Sequence, residues 1–222
     1  EAFMDGDIVI EDGTLSDFME VAAINYCHVE NFPLARWLRL IGIGSRKLKQ
    51  YNPVGKAQKN VAHHYDLSSD LYALFLDRDR QYSCAYFTDP EESLESAQLA
   101  KKRHLASKLL LDRKDLNVLD IGSGWGGLGL YIADVSGADV TGVTLSTEQH
   151  KLSNERAQKA GIADHVRFRL QDYRELPEKF DRIVSVGMFE HVGRKNYREF
   201  FSKLNDLMTD DSVAVIHSIG RL

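Results

Sequence analysis

The sequence predicts an α/β fold, a parallel sheet preceded by a helical region, and three observations carry that expectation. Five short runs rich in β-branched residues recur over residues 115 to 222, charged segments with helical spacing separate them, and a glycine-rich turn follows the first run. The runs are NVLDIG (117–122), ADVTGVTLS (138–146), VRFRLQD (166–172), FDRIVSVG (180–187) and DSVAVIHSI (211–219). Strands joined through helices need crossovers, and right-handed crossovers lay the strands parallel.

Between the second and third runs, TEQHKLSNERAQKAG opens on Thr147 as a candidate N-cap and stops at Gly161. Before the fifth run, RKNYREFFSKLNDLM (194–208) places apolar residues at helical spacing. Residues 1–114 read differently, as mainly helical with turn signals at YNPVG and TDPEES. Within them ESLESAQLAKKRHLASKLLL (92–111) reads as one long amphipathic helix leading into the first strand. The expected organisation is a helical, lipid-facing region over 1–114 and an α/β domain over 115–222. A fifth strand lying directly before Leu222 would leave an unpaired sheet edge, so we expect the sheet to be truncated there and further chain to follow in the parent protein.

Composition narrows the function classes. The chain has 222 residues, 43% of them hydrophobic, which suffices for one sizeable core. No apolar run approaches the roughly 20 residues that cross a bilayer, and the opening EAFMDGDIVIED lacks the basic start of a secretory signal. A cytoplasmic protein is expected. Two cysteines, Cys27 and Cys84, without CxxC spacing, speak against a disulfide framework or a structural zinc site. The paired His63 and His64 have no third ligand at metal spacing, and a structural role for HHYDLSSD is the expectation.

The net charge of -5 conceals an uneven layout, with eight acids and no Lys or Arg over residues 1–30, then seven bases and no acid over 31–65. The overall acidity fits a nucleic-acid partner poorly. The basic stretch contains FPLARWLRLIGIG, which offers two readings. Trp37 and the aliphatic residues can enter an anionic membrane surface with Arg36 and Arg39 among the headgroups, or the helix packs on the main domain.

The strongest local signal is VLDIGSGWGG (118–127), in which a strand ends near Asp120 and Gly122, Gly124 and Gly126 permit a tight turn at a helix N-terminus. Dinucleotide enzymes use G-x-G-x-x-G at this point and a merely structural turn is a further alternative. The string here is G-x-G-x-G with an aspartate two residues ahead, which resembles the motif of S-adenosylmethionine (SAM)-dependent methyltransferases on a Rossmann-like sheet. After the second strand that pattern usually has a ribose-binding acid, and GVTLSTEQ departs from it, leaving the polar contacts to Thr144 and Gln149. After the third strand, Asp172 is placed for an adenine amino group and Tyr173 as a wall for its ring, unless Asp172 only caps the next turn.

Eight blocks in order, HYDLSSDLYALFLD (64–77), QYSCAYF (81–87), LESAQLAKKRHL (94–105), LDIGSGWGG (119–127), GVTLSTEQ (142–149), LQDYREL (170–176), FDRIVSVGMFEHVGRKNY (180–197) and VIHSIG (215–220), together resemble the cyclopropane-fatty-acid-phospholipid synthases and the related mycolic acid cyclopropane synthases. EAFMDGDI extends the likeness weakly to the first residue. The resemblance implies an enzyme that carries the methyl group of SAM to a cis double bond of an unsaturated phospholipid at the inner face of the membrane, as a possible homodimer. SAM would be bound by Tyr82, Ser83, Asp120, Gly122, Ser123, Gly124, Gly126, Thr144, Leu145, Ser146, Gln149, Asp172, Tyr173 and His191. A bicarbonate ion would sit among Cys84, Glu190, His217 and the backbone of Gly187 and Ile219. Ser123 stands where the family usually has cysteine, a small change in a turn governed by its backbone.

The chemistry explains why such residues are wanted. An alkene is a poor nucleophile, so transfer depends on alignment and exclusion of water. The family's mechanism leaves a carbocation and then removes a proton from the new methyl group, so that the ring closes. Glu190 beside an anion is repulsive unless a proton is shared or a donor bridges them. In a regular strand His191 faces away from Glu190, which assigns it to the cofactor side or to the turn. Blander readings stand alongside: Cys84 as a small buried hydrophobe, His217 as a satisfied core histidine, and Tyr72, Phe75 and Phe87 as core packing instead of an acyl tunnel.

Overall fold

The computed structural model describes residues 3, 6–30 and 69–220. The amphipathic segment with Arg36, Trp37 and Arg39, the pair His63 and His64, and the side chain of Cys27 lie outside them. By compactness the chain divides into residues 1–51 and 52–222. In the first unit the described element is helix α1 (Leu15–Glu30), opened by a Thr14 and Asp17 cap in which Thr14 N donates to Asp17 Oδ2 at 2.7 Å. Everything that follows belongs to the second unit.

The second unit contains α2 (Ser69–Ala73), α3 (Leu94–Lys108), β1 (Asn117–Ile121), α4 (Gly127–Ser136), β2 (Asp139–Thr144), α5 (Thr147–Lys159), β3 (Val166–Leu170), β4 (Phe180–Val186), α6 (Tyr197–Asp206) and β5 (Met208–His217). All five expected strands are present, each within a few residues of its run. The largest difference is at β5, which begins at Met208 because α6 ends at Asp206 and the chain pairs Met208 with Phe180 at once. The segment 194–196 is a 3-10 turn instead of helix, set off by Gly193 at φ 77°.

The strands are parallel throughout and stand in the order β3-β2-β1-β4-β5. From β1 the chain winds outward to β2 and β3, then returns to β4 on the other side. That reversal opens a crevice at the carboxyl ends of β1 and β4, where open α/β sheets bind ligands.

Alternation along each strand sends neighbours to opposite faces, and two cores result. Val118, Val140, Phe168 and Val184 face Leu105 within α3 and Leu109 just after it, Leu128 and Ile132 of α4, and Ala157 of α5. Leu119, Ile121, Val143 and Ile183 face Leu176 and the α6 side, Phe200, Leu204 and Leu207. Strands covered on both faces carry apolar residues on both alternating positions, which is why they were visible in the sequence. Helix α3 is built into the sheet's core, so it shares the compact unit 52–222 instead of standing apart in a cap that ends at residue 114. Buried Arg182 ties its end down, donating from Nε and Nη2 to Leu110 O at 3.2 and 3.1 Å.

One core contact is unusually tight. A Cβ at Gly142 in β2 would lie 2.5 Å from Phe168 Cδ1 and 2.9 Å from Ser123 Cβ, so the Phe168 ring occupies the space of the missing side chain. Gly142→Ala is expected to destabilise the fold by about 1–3 kcal/mol through overpacking. Urea denaturation checks this, and an unchanged midpoint would show that the ring yields freely.

Candidate functional site

β1 runs out at Ile121, and Gly122 (φ 79°) turns the chain so that the N–H groups of Gly122 and Ser123 both donate to Val143 O at 3.0 Å. Gly126 (φ 82°) then starts α4, and a Cβ there would lie 2.7 Å from Phe168 Cζ and 2.8 Å from Ser153 Cβ. Gly126 is therefore glycine for both conformation and space. Beyond this turn lies a cavity lined by the turn, by Arg80 to Ser83, by Thr144, Leu145 and Gln149, by Gln171 to Arg174, and by Gly187, Met188 and His191.

Of the residues expected to bind the cofactor, Tyr82, Ser83, Asp120, Gly122, Ser123, Gly124, Thr144, Leu145, Gln149, Asp172, Tyr173 and His191 all line this cavity. Gly126 and Ser146 do not. Gly126 packs under Phe168, and the fully buried Ser146 caps α5 by accepting from Gln149 N at 3.3 Å. Thr144 Oγ1 donates to Gln149 Oε1 at 2.7 Å, which leaves the Gln149 amide group as a donor. Asp172 does cap the 3-10 turn Tyr173–Glu175, and Arg174 holds its carboxylate through Nε at 3.0 Å and Nη2 at 2.7 Å. Capping and lining the cavity coexist at this residue. Burial pushes the Tyr173 phenol up to about 12, so it is neutral and suited to lie against an uncharged ring.

The polar atoms of the turn are poorly satisfied by the protein. Asp120 Oδ2, Ser123 Oγ and Trp125 Nε1 are buried with no hydrogen-bond partner among the described residues. Each such atom costs about 1–3 kcal/mol. A ligand carrying both donors and acceptors removes that cost, and three orphan atoms around one cavity are the mark of a binding site. Burial alone raises Asp120 to about 7.

Beyond Gly187 lies a second cluster. Gly187 N donates to His217 O at 3.0 Å, joining the ends of β4 and β5, and Ser83 Cβ lies 3.6 Å from where a Gly187 Cβ would be. Ile219 N donates to Glu190 Oε1 at 2.6 Å. Gly187, Glu190, His217 and Ile219 are thus joined at the carboxyl ends of β4 and β5, and Cys84 directly follows Ser83, whose Cβ approaches the Gly187 turn. Cys84 carries a free, exposed thiol, so it is not a buried hydrophobe. His217 Nδ1 is buried with no partner among the described residues, which is not the setting of a satisfied core histidine. The N–H groups of Gly187 and Ile219 are both engaged within the protein.

The reason given above for separating Glu190 from His191 does not hold. β4 ends at Val186 and both residues lie in a 3-10 turn, Phe189–His191, so strand alternation is not what divides them. They diverge all the same, His191 into the cavity and Glu190 to Ile219. Tyr72 is core, stacked edge-on against Trp125 and Tyr82 with ring centroids 5.5 and 5.4 Å apart, whereas Phe75 and Phe87 are exposed.

Sequence reading missed Arg80, Trp125, Arg174, Met188 and Glu199, which also line the cavity. Arg80 holds a left-handed φ of 56° with its guanidinium 5.5 Å from the centre of the Trp125 ring. Trp125 sat inside the glycine string and was the one of these that its position could have revealed.

Residues 54–222 match the family described as mycolic acid cyclopropane synthetase. The chain belongs to this family. It is 47% identical over 157 residues to the cyclopropane-fatty-acyl-phospholipid synthase of Escherichia coli K12, an alignment covering 71% of this chain and 40% of that protein. A probable fatty acid methyltransferase of Pseudomonas putida is 44% identical, with 72% of this chain and 41% of that protein covered. The mycolic acid cyclopropane synthase CmaA1 complexed with SAH and CTAB superposes with a TM-score of 0.69 at 36% identity, over 72% of this chain and 55% of that one. The chain spans about two-fifths of the length of these curated relatives.

The raised Asp120 gives a sign-definite prediction. Its folded value of about 7 lies above the ordinary 3.8, so the folded state gains from its proton at low pH and loses that advantage as pH rises from about 4 through 7. Asp120→Asn is neutral at every pH. In the ligand-free protein it should raise the melting temperature at pH 8 more than at pH 5, and an equal effect at both would place Asp120 in contact with water.

Proposed function

We propose that this chain is the cofactor-binding and reacting core of a SAM-dependent enzyme that converts a cis double bond in an unsaturated phospholipid acyl chain to a cyclopropane ring. The observation that carries the reading is the adjoining of two unlike polar groups. A cavity with orphan donors and acceptors adjoins, through Ser83 and Gly187, the ends of β4 and β5, where Glu190 is bonded to Ile219 and His217 Nδ1 has no partner among the described residues.

When bound, SAM supplies an electrophilic methyl group on a sulfonium. The residues present suit it. Asp120 Oδ2 accepts from its polar hydroxyl or ammonium groups, Asp172 and Tyr173 take the adenine, and Trp125 Nε1 and Ser123 Oγ gain partners. Bicarbonate, the small anion this family's resemblance implies, supplies a weakly nucleophilic base. His217 Nδ1 is the side-chain atom best placed to hold it, being buried with no partner among the described residues, and Glu190 orients it from the Ile219 side. The exposed rings of Phe75, Tyr82 and Phe87, with Leu74, offer an apolar approach for an acyl chain beside the site. No helix among the described residues is long and apolar enough to cross a membrane.

A second reading deserves a test because of the Pseudomonas putida relative's name: transfer that leaves a methyl branch and no ring. Incubation with SAM and unsaturated phospholipid vesicles followed by proton NMR separates the two, since ring protons are expected and a branch methyl without them would overturn the cyclopropane assignment. In the same assay Glu190→Gln and His217→Ala should lower turnover by about 100-fold or more, the range of a lost general acid or base. Affinity for S-adenosylhomocysteine should hardly change. Equal losses of turnover and affinity would mean that the cluster belongs to the cofactor site.

A further inference from the structure

Helix α3 turns a lysine into the protein where its spacing calls for an apolar residue. Ala97, Lys101 and Leu105 follow one another along a single face and all are buried, Lys101 at 3% exposure. A buried ammonium is costly without a partner, and among the described residues no carboxylate lies within ion-pair distance of it. What it meets is Ser83 Oγ, at 2.6 Å. Three residues earlier, Gln98 Nε2 donates to Ser83 O at 3.0 Å and to Gln81 O at 3.3 Å. The helix thus holds both the backbone and the hydroxyl of a residue that lines the cofactor cavity and touches the Gly187 turn.

We propose that Lys101 is a positioning residue for the transfer reaction, one that sets the hydrogen-bond polarity of Ser83. An ammonium only donates, so the Ser83 oxygen must accept from it, and the single hydroxyl hydrogen is turned away from Lys101 and into the cavity. Ser83 then donates to an oxygen of the bound cofactor, and the hydroxyl is oriented before the ligand arrives. The role rests on the SAM reading given above. Losing the Lys101 proton releases the constraint, because a neutral amine can accept from Ser83 instead.

The surroundings put that change within reach. Burial lowers Lys101 to about 8, while Asp77 and Asp79 on the adjoining segment and Cys84 beyond Ser83 favour the charged form, and Lys102 on the same helix opposes it. The charged form therefore dominates below about pH 8 and the orienting bond fades above it.

Calorimetric titration of S-adenosylhomocysteine into the wild type and Ser83→Ala, from pH 6.5 to 9.5, tests the idea. The ligand's own amino group titrates in both proteins, so the quantity to read is the ratio of their affinities. One hydrogen bond gives a wild-type advantage of about five- to tenfold at pH 7, and this should shrink to about twofold or less at pH 9.5. Lys101→Arg, charged throughout, should keep the advantage at high pH, and Lys101→Met should lose it at every pH. A ratio that stays constant across the range overturns the role of Lys101 while leaving the cofactor assignment intact. No binding by the wild type at any pH sinks the cofactor assignment and this role together.

Discussion

The site depends on one clamp between parts of the chain that the sheet alone would not bring together. Arg156 of α5 donates from Nη1 to Trp125 O at 2.7 Å and to Asp79 O at 3.2 Å, and its Nη2 pairs with the Asp79 carboxylate. Lys102 of α3 meets the same carboxylate at 2.7 Å. Residues 77 to 83 are thereby strapped across the glycine turn between two helices. Gly127 is glycine because Asp79 and Gln81 fill the space its side chain would need. Without the strap the cavity would lack the wall formed by Tyr82 and Ser83, and Ser83 would have no reason to lie near Gly187.

What the clamp encloses is a site that is costly until a ligand arrives. Asp120 Oδ2, Ser123 Oγ and Trp125 Nε1 around the turn, and His217 Nδ1 at the end of β5, are all buried without a partner among the described residues. Their desolvation is offset only by a partner with matching donors and acceptors, which converts a loss in the free protein into selectivity for that partner. Orientation is settled in advance, by Arg174 on Asp172, by Thr144 on Gln149 and by the Gly187 to His217 bond. Such preorganisation suits a reaction that relies on alignment more than on a strong protein nucleophile.

The strands were legible because central parallel strands are buried on both faces, and NVLDI and FDRIVSV show this as β-branched and aliphatic residues on both alternating positions, as at Val118 with Leu119 and Ile183 with Val184. The residues that line the cavity were legible where the glycine string itself forms the turn, at Gly122 to Gly124, and where the family resemblance supplied them, as at Asp172. Glu190 and His191 were misjudged in conformation because nothing local marks the end of β4 except Gly187, whose φ of 64° stops the strand. Arg80, Glu199 and Lys101 were invisible for another reason. Each owes its place to packing between distant segments, and a lysine four residues from an alanine carries no sign that it points inward. The 3-10 turn before α6 was read as helix because its residues have helical spacing and only the preceding glycine breaks the pattern.

The central claim is that one end of the sheet holds SAM in the cavity and a small anion in the adjoining cluster. A crystal structure of the chain grown with S-adenosylhomocysteine and bicarbonate tests it most directly. The expected density is adenosine between the glycine turn and Tyr173, with a flat triangular ion among Cys84, Glu190 and His217. Nucleoside density elsewhere, or only water between those three side chains at saturating bicarbonate, would contradict it.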